Sequence, residues 1–361
     1  MSKFQPNIPN NHLPLLPPTN LDDVEILKAV NRANIQLARL NAFLLGLPNP
    51  YLLVKPLTVR EAVASSQIEN INTTVAEIFR AEVLPDVEIT KEQKETLHYT
   101  KALLYGFELL KNQQFLNTNS YLAIQHTIEP TKGGIRKLPG TSIKNSLTNE
   151  IIYTPPEGER TIRDFLKNYE SYYNEQKQVD PDPLVRMALL HYQFEAIHPF
   201  YDGNGRTGRI LMVLYLVLVK YIDYPVLFMS GYINQHRQEY YHLLREITEQ
   251  RQWKNWILFI LQAVETQALD TINRLLQLKN IEAELKIMLT TKAKRASLYS
   301  MIDYLVSNPF YNQKHASKVL HMNRKTVAQY FDFLEKKKVL KKFKVKKYTI
   351  YFNKALLQAL E

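Results

Sequence analysis

The chain has 361 residues, a formal net charge of +11 and no cysteine, which excludes disulfides and thiolate zinc sites. Hydrophobic residues make up 45% and charged residues 22% of the sequence, as in ordinary globular proteins. The longest apolar run, residues 210–222, is interrupted by Lys220 and is too short to cross a bilayer. The N-terminus lacks a basic segment followed by an apolar one, so we predict a soluble cytoplasmic protein without a signal peptide.

Amphipathic helices are predicted from residue 21 onwards, after an extended lead-in rich in Pro and Asn. The apolar stripe of the first helix has alternating spacings of four and three residues: Ile26, Val30, Ala33, Leu37, Leu40 and Leu44. Residues 49–56 are expected to interrupt the helical pattern. A second helix is predicted to begin at Thr58, because Thr58 and Glu61 have the spacing of a capping box, and to run to Asn70.

Residues 133–159 break the helical pattern with Gly, Pro and Asn around two short extended runs. This composition predicts a β-hairpin inserted between helices. Helices resume at Asp182-Pro183, which form a typical cap and first-turn pair. Residues 253–285 predict a helix that is long enough to connect two domains. The predicted fold class is therefore mainly α, a helical bundle with an inserted β-hairpin.

The C-terminal end differs from the rest of the chain in charge and in pattern. Residues 286–361 contain 17 Lys or Arg and 4 Asp or Glu, a net charge of +13, whereas the preceding residues carry a net charge of −2. Three predicted helices are followed by an alternating strand pair, which indicates a small winged-helix domain. The helix at 323–340 has Arg324 and Lys325 near its start, and the lysine-rich wing favours contacts with DNA phosphates. Protein contacts or homodimer packing are the alternative use of this domain.

Residues 198–209, HPFYDGNGRTGR, concentrate polar chemistry and three of the ten glycines in twelve positions. Gly203, Asn204 and Gly205 can turn several N–H groups towards one anion, and the helix that follows adds its N-terminal dipole. Arg206 and Arg209 carry guanidinium groups that suit phosphate oxygens. These features predict a site for the phosphates of a nucleotide.

Two other side chains in this stretch supply reactive chemistry. Asp202 can hold a hard cation such as Mg²⁺ together with phosphates and water. His198 can act as a base near neutral pH. The stretch therefore predicts a nucleotide site with a base that can deprotonate an attacking hydroxyl group.

Residues 198–209 match the Fic-family pattern HxFx(D/E)GNGRxxR at every defined position, and the resemblance covers most of residues 1–265. It implies a helical protein that transfers AMP from ATP to a Ser, Thr or Tyr hydroxyl of a target protein, including itself, with attack on the α-phosphate and release of pyrophosphate. It implies that His198 is the base and that Asp202 binds Mg²⁺. The triphosphate-binding residues that it implies are Gly203, Asn204, Gly205, Arg206, Thr207, Gly208 and Arg209.

The resemblance also gives the hairpin a role. A β-flap in Fic proteins covers the site and aligns the target segment by strand pairing. The corresponding residues here are Ile151, Ile152, Tyr153 and Thr154. The alternative is a surface ribbon without this role.

The stretch GYINQHRQEYYHLL resembles the segment that forms the nucleoside pocket in related enzymes. Tyr240, Tyr241 and Asn234 are therefore candidates for the adenine pocket. Ordinary helix packing is the alternative for at least one of the two tyrosines.

Residues 65–70, SSQIEN, resemble the inhibitory pattern (S/T)xxxE(G/N) of self-restrained Fic enzymes, with Ser65, Glu69 and Asn70 in the matching positions. The resemblance implies that Glu69 pairs with Arg209 and places negative charge where the γ-phosphate belongs. A charge-assisted pair contributes about 1.5–3 kcal/mol, which would disfavour the productive pose about tenfold or more. A glutamate in this position orients water for removal of AMP in some relatives, so deAMPylation is a secondary candidate activity.

We therefore predict four segments: an N-terminal helical segment with the inhibitory motif at 1–110, a Fic catalytic domain at 111–265, a linker helix at 266–290 and a winged helix at 291–361. Two other functions fit the sequence. One is a DNA-binding regulator whose Fic domain only senses nucleotide, but the intact His198 argues against it. The other is a Fic transferase with another nucleotide donor, against which the unbroken GNGRTGR favours AMP.

Overall fold

The computed structural model describes residues 4–361 apart from 19–20, 22, 48, 85–88, 145–147, 176–180 and 291–294. Helices dominate the described part. The elements of the first half are α1 (Val24–Leu45), α2 (Tyr51–Ile68), α3 (Val75–Val83), α4 (Lys91–Gln113), α5 (Thr118–Ile128), β1 (Ile143–Lys144), β2 (Ile151–Tyr153) and α6 (Glu159–Asn174).

The second half begins with the helix pair that carries the 198–209 stretch and ends with a small sheet. Its helices and strands are α7 (Pro183–Ile197), α8 (Asn204–Leu218), α9 (Ser230–Gln235), α10 (Arg237–Gln250), α11 (Trp253–Thr290), α12 (Arg295–Ser307), β3 (Phe310–Tyr311), α13 (Gln313–Val319), α14 (Arg324–Lys336), β4 (Lys341–Val345), β5 (Tyr348–Phe352) and α15 (Lys354–Leu360). None of the described helices is both long enough and apolar enough to cross a membrane.

Helix α1 confirms the predicted apolar stripe, whose six residues are all buried. Asp23 caps the helix by accepting a hydrogen bond from Glu25 N at 2.7 Å. The buried face packs along α11. The spacing of apolar residues was therefore sufficient to identify the face of α1 that enters the core.

The predicted start of the second helix at Thr58 is wrong. Helix α2 begins at Tyr51, contains Pro56 in its interior and ends at Ile68, two residues before the predicted end at Asn70. Thr58 is buried and donates its hydroxyl to the carbonyl of Lys55 instead of capping a helix. Residues 51–57 are helical because Leu53, Val54, Pro56 and Leu57 are buried in the core, and this packing outweighs the loss of one N–H donor at the proline.

The predicted hairpin is confirmed. Strands β1 and β2 pair in antiparallel orientation, with Ile143 opposite Tyr153 and Lys144 opposite Ile151. The Tyr153 hydroxyl donates to the carbonyl of Ala196 at 2.7 Å. This bond fixes β2 to the end of α7, immediately before the 198–209 stretch.

Helices α7 and α8 form the buried centre of the molecule. Asp182 caps α7 as predicted, accepting a hydrogen bond from Leu184 N at 2.8 Å, and Pro183 occupies its first position. Nearly every residue of α8 from Asn204 to Leu218 is buried. The apolar run that was too short for a membrane is thus a core helix.

The C-terminal region has the predicted order of three helices, α12 to α14, followed by the strand pair β4–β5. Strand β3 and helix α15 were not predicted, and β3 completes a three-stranded antiparallel sheet in the order β3-β5-β4. Residues such as Phe310 and Leu356 join the main hydrophobic core, whereas Met301 and Phe331 belong to a second core cluster. Helix α11 is continuous over 38 residues, about 57 Å at 1.5 Å per residue, so the predicted linker helix is its second part.

Candidate active site

The 198–209 loop begins where α7 ends. His198 is the C-cap of α7 and adopts a left-handed backbone with φ 47°. Arg136, which is almost fully buried, donates from Nε to the carbonyl of His198 at 2.7 Å. The same guanidinium group donates to the carbonyls of Pro156 and Ile197. The arginine therefore connects the base of the hairpin to the turn that positions the histidine.

The His198 imidazole is only partly exposed, and its Nδ1 atom is buried. Burial, followed by the positive charge of Arg136, lowers the pKa of His198 to about 4. The ring is therefore neutral near pH 7, the protonation state that a general base requires.

Helix α8 begins at a left-handed glycine. Gly203 has φ 79° and forms the N-cap, a conformation that residues with a Cβ rarely adopt. The first intrahelical bond joins Thr207 N to the carbonyl of Gly203. The N–H groups of Asn204, Gly205 and Arg206 precede it and lie at the positive end of the helix. This is the geometry of a backbone anion site.

The side chain of Asn204 faces the loop. Its Oδ1 accepts a hydrogen bond from Phe200 N at 2.8 Å, and its Nδ2 donates to the carbonyl of Phe200 at 2.8 Å. Both polar atoms of the amide thus hold the turn between His198 and α8. This arrangement leaves the backbone N–H of Asn204 for the predicted phosphate contact.

Arg206 is buried among three carboxylates. Its guanidinium nitrogens lie 2.7 Å from Glu129, 3.3 Å from Asp202 and 3.8 Å from Glu95. Only 3% of its side chain is exposed. Arg206 therefore contacts Asp202 and orients its carboxylate. The positive charge of Arg206 is already balanced by these acidic residues in the absence of phosphate.

Asp202 carries the carboxylate that was predicted to hold Mg²⁺. Burial acts to raise its pKa, but Lys132 and Arg206 outweigh burial and lower it, so the group is ionised near neutral pH. The described residues contain no cluster of three or more His, Cys, Asp or Glu that could hold a metal. Mg²⁺ commonly binds one or two carboxylates and completes its shell with phosphates and water. Asp202 fits that mode and would hold the ion jointly with a nucleotide.

Arg209 is buried and directed away from solvent towards α2. Its Nε donates to Ser65 Oγ at 2.8 Å, and its Nη2 donates to the Ser65 carbonyl at 3.0 Å and to Glu69 Oε1 at 2.8 Å. The structure thus brings together Ser65, Glu69 and Arg209 in the arrangement that the inhibitory pattern implies.

Three of the predicted phosphate-binding residues lie in closely packed surroundings. A Cβ on Gly205 would lie 2.5 Å from Glu69 Oε1, so this glycine gives the glutamate its place beside the helix. A Cβ on Gly208 would lie 2.5 Å from Glu195 Oε1, so this glycine allows α7 and α8 to approach closely. Thr207 is fully buried on α8.

The two candidate adenine-pocket tyrosines differ in environment. Tyr240 is buried, its hydroxyl lies 2.9 Å from His191 Nε2, and its ring packs against Trp256. Tyr241 is 48% exposed, and its ring lies edge-on to that of Tyr240 with 5.2 Å between the ring centroids. Tyr241 is therefore available to contact a nucleoside base, whereas Tyr240 supports it from the core.

Asn234 and Asn70 both accept hydrogen bonds from Arg237 near the end of α2. Asn234 Nδ2 donates to Gln67 Oε1 at 3.0 Å. Arg237 donates to the carbonyl of Gln67 at 2.6 Å, to Asn234 Oδ1 at 2.5 Å and to Asn70 Oδ1 at 3.3 Å. These four residues form a polar latch that ties residues 67–70 to α9 and α10.

Several site residues were not predicted from the sequence: Lys132, Arg136, Glu195 and Arg237. Glu195 Oε1 lies 3.9 Å from His191 Nδ1, and neither atom has a hydrogen-bond partner among the described residues. Burial raises the pKa of Glu195 to about 7. The sequence gives two weak signals: Glu195 precedes His198 by three residues, and Arg136 follows a Gly-Gly pair. Neither signal reveals which residue the side chain contacts.

Comparison with known proteins gives consistent results. The model described as "Fic/DOC family N-terminal" matches residues 27–108, and the one described as "Fic/DOC family" matches residues 109–216. A curated relative, protein adenylyltransferase Fic of Aedes aegypti, is 27% identical over 175 residues, which cover 48% of this chain and 33% of the relative. The chain thus spans about a third of the length of that relative.

Solved structures with the same fold include a Fic family protein from Desulfovibrio desulfuricans. It aligns with a TM-score of 0.57 at 16% identity and covers 94% of this chain and 98% of its own. A Fic domain-containing protein from Bacteroides thetaiotaomicron aligns with a TM-score of 0.54 at 18% identity, over 66% of this chain and 95% of its own. Together the two family models match more than half of the sequence, without a break between residues 27 and 216. The chain belongs to the Fic/DOC family.

Proposed function

We propose that this protein transfers AMP from ATP to a Ser, Thr or Tyr hydroxyl of a target protein and of itself, and that Glu69 restrains the reaction. One observation carries the proposal: the neutral imidazole of His198 lies on the same short loop as Asp202 and leads into the first-turn N–H groups of α8, which precede the first intrahelical bond. A base, a cation ligand and an anion site thus occur together. The curated relatives named as adenylyltransferases support AMP as the transferred group.

In this reaction His198 accepts the proton of the target hydroxyl as its oxygen attacks the α-phosphorus. The new P–O bond forms while the bond to the pyrophosphate oxygen breaks, so the products are the AMP-modified side chain and pyrophosphate. The N–H groups of α8 stabilise negative charge on the phosphates. Asp202 would hold a Mg²⁺ ion, which supplies further stabilisation of that charge when it is bound.

The β1–β2 hairpin is suited to hold the target segment beside His198. Tyr153 fixes β2 to α7 through Ala196, so a target strand that pairs with β2 would be aligned with the loop. Thr154 already bonds to the N-terminal segment, since its Oγ1 donates to the carbonyl of Pro6 and its carbonyl accepts from Asn10 N. Target pairing would therefore rely on Ile151 to Tyr153.

The restraint follows from the contacts of Arg209. Arg206 is enclosed by acids, so Arg209 is the motif arginine that remains for the terminal phosphates, and in this structure it is bound to Ser65 and Glu69. Phosphate at that position would meet the Glu69 carboxylate. The side chain of Glu69 is 36% exposed, so it could also orient water for hydrolysis of an AMP-modified side chain, which we keep as a second activity to test.

The test is intact-mass analysis of the Glu69→Gly variant after incubation with Mg²⁺ and each nucleoside triphosphate in turn. We expect a mass increase of one AMP with ATP, and none in a Glu69→Gly, His198→Ala double variant. If a larger fraction of the protein is modified with another nucleotide than with ATP, that nucleotide is the donor. No increase with any nucleotide, in a folded protein that binds them, would favour a regulator that only senses nucleotide.

We also propose that the C-terminal domain contacts the phosphates of nucleic acid. Arg324 and Lys325 are exposed at the start of α14, and the β4–β5 hairpin exposes Lys341, Lys344, Lys346 and Lys347 while its apolar residues face inwards. Neutralisation of phosphates by such residues makes affinity fall steeply with salt. The charge is concentrated on one small unit, which a merely solvated surface does not require.

Fluorescence anisotropy with duplex DNA at several salt concentrations tests this proposal. A Lys344→Glu, Lys347→Glu variant should bind more weakly and with a shallower salt dependence than the wild type. A Lys94→Glu, Lys101→Glu variant makes the same charge change at exposed positions of α4 and serves as the control. Equal binding by all three proteins, or none at low salt, would exclude the interface.

A further inference from the structure

Lys132 occupies the position at Asp202 that a cation would need. Its Nζ lies 2.6 Å from Asp202 Oδ2. The other carboxylate oxygen, Oδ1, accepts hydrogen bonds from Gly203 N at 2.7 Å and from Arg206 at 3.3 Å. The ammonium group therefore competes directly with a metal ion for Oδ2.

The backbone around Lys132 is held in place, so the movement falls to its side chain. Gln125, which is fully buried, donates from Nε2 to the carbonyl of Lys132 at 3.1 Å and to the carbonyl of Asp202 at 3.0 Å. One amide thus fixes the separation of the two backbones. The lysine side chain itself is 56% exposed and has the length to reorient above the N-terminus of α8.

Of the two cationic side chains at Asp202, Lys132 is much more exposed than Arg206. An exposed lysine–carboxylate pair contributes little stability, because water screens it and ordering the long side chain costs entropy. Arg206, in contrast, is buried and remains paired with Glu129 at 2.7 Å. Breaking that buried pair would leave an uncompensated charge.

A bound nucleotide also creates a demand for positive charge. A triphosphate carries more negative charge than one divalent cation neutralises, and Arg206 already faces three carboxylates. Displacement of Lys132 from Asp202 by the metal ion would free its positive charge next to the bound phosphates. Its ammonium group is a flexible point charge that suits phosphate oxygens.

We propose that Lys132 is a positioning residue that exchanges partners: it holds Asp202 in the nucleotide-free protein and moves to the polyphosphate when Mg²⁺ and nucleotide bind. This inference rests on the proposed nucleotide-binding function. It assigns Lys132 opposite effects on two ligands, because the lysine competes with the metal for Asp202 but attracts the phosphates.

The experiment compares Lys132→Met with its parent in the Glu69→Gly background. Affinity for Mn²⁺ alone, followed by water-proton relaxation, should increase about two- to fivefold, because the competing ammonium group is gone. Affinity for α,β-methylene ATP in the presence of excess Mg²⁺, measured by calorimetry, should decrease by a similar factor. Lys132→Arg should restore nucleotide affinity.

Lys137→Met is the matched control, since Lys137 is an exposed lysine five residues further on that pairs with Glu159. It should leave both affinities unchanged. Unchanged affinities in Lys132→Met, or a decrease in both, would overturn the exchange and leave only a surface ion pair or a structural role. A parent protein that does not bind the nucleotide analogue would refute the proposed function itself and, with it, the exchange.

Discussion

Glu69 Oε1 lies 2.8 Å from Nη2 of Arg209, a residue on a different helix and 140 positions further along the chain. The pair should oppose binding of the terminal phosphates, since the arginine is occupied and the carboxylate adds negative charge. We expect Glu69→Gly to bind α,β-methylene ATP with Mg²⁺ about tenfold or more tightly than the wild type. Calorimetry measures this directly.

Glu69→Gln tests whether charge or hydrogen bonding causes the restraint. The amide keeps an acceptor for Arg209 but removes the negative charge, so its nucleotide affinity should fall between those of the wild type and Glu69→Gly. Wild-type affinity in both variants would contradict the inhibitory role.

The polar latch should support the same restraint by holding the end of α2 next to Glu69. It consists of Gln67, Asn70, Asn234 and Arg237. Arg237→Ala removes the bonds to the Gln67 carbonyl and to Asn70, so the end of α2 is held less firmly. We expect increased auto-modification, smaller than that of Glu69→Gly, in an assay with labelled ATP. Arg245→Ala is the control, because Arg245 also lies on α10 but is exposed and pairs with Glu249 on the same helix.

Gly208 should be required for stability. A Cβ at this position would lie 2.5 Å from Glu195 Oε1 and 3.2 Å from a ring carbon of Phe194. Such overpacking costs about 1–3 kcal/mol, so Gly208→Ala should lower the melting temperature by several degrees. In Gly46→Ala, where the nearest atom is 3.4 Å away, the change should be much smaller. Equal melting temperatures for both variants would show that α7 and α8 adjust freely.

His198 should remain neutral well below the usual range of histidine. Its pKa is lowered to about 4, first by burial and then by Arg136. Since the neutral ring is the base, the imidazole should protonate only as the pH falls through about 4. NMR titration of its ring proton, assigned by its loss in His198→Ala, measures this value. A midpoint near ~6.5, the value of an unperturbed histidine, would contradict the proposed environment.

Glu61 should make the protein less stable as the pH rises. This buried carboxyl on α2 is bonded to Tyr99 and Ser230, and burial raises its pKa to about 7. A raised pKa means that its contribution is complete below about 4.5, its unfolded value, and is lost as the pH rises through about 7. The melting temperature of Glu61→Gln relative to the wild type should therefore increase between these pH values and level off above them. A difference independent of pH would contradict a buried, titrating Glu61.

The sequence predicted most accurately the features that are encoded locally. The stripe of α1 and the cap at Asp182 each depend on residues within a few positions, and both are confirmed. The predicted start of the second helix at Thr58 was wrong because the capping-box spacing is a local pattern. Burial of Leu53 and Val54, which depends on the rest of the fold, decides where α2 begins. The surroundings of Arg206 depend on Glu129, which is 77 positions away, so no short pattern could reveal them.

The motif predicted which residue types meet at the site better than it predicted what each side chain contacts. Asn204 and Gly205 belong to the pattern, yet the side chain of the first closes the loop onto Phe200 and the second leaves room for Glu69. A pattern of residues records that a position tolerates few alternatives. It does not distinguish a ligand contact from a close approach within the fold.

Helices α12 and α15 of the C-terminal region pack against helix α2. Arg60 of α2 pairs with Asp270, which also pairs with Arg274, and Arg274 donates to the carbonyl of Ala359 near the chain end. Truncating the chain after α11 would therefore expose the underside of the segment that carries Glu69. A shortened protein should lose the restraint by Glu69 because α2 is no longer supported. Deletion of the C-terminal region would therefore change both its own function and the restraint of the active site.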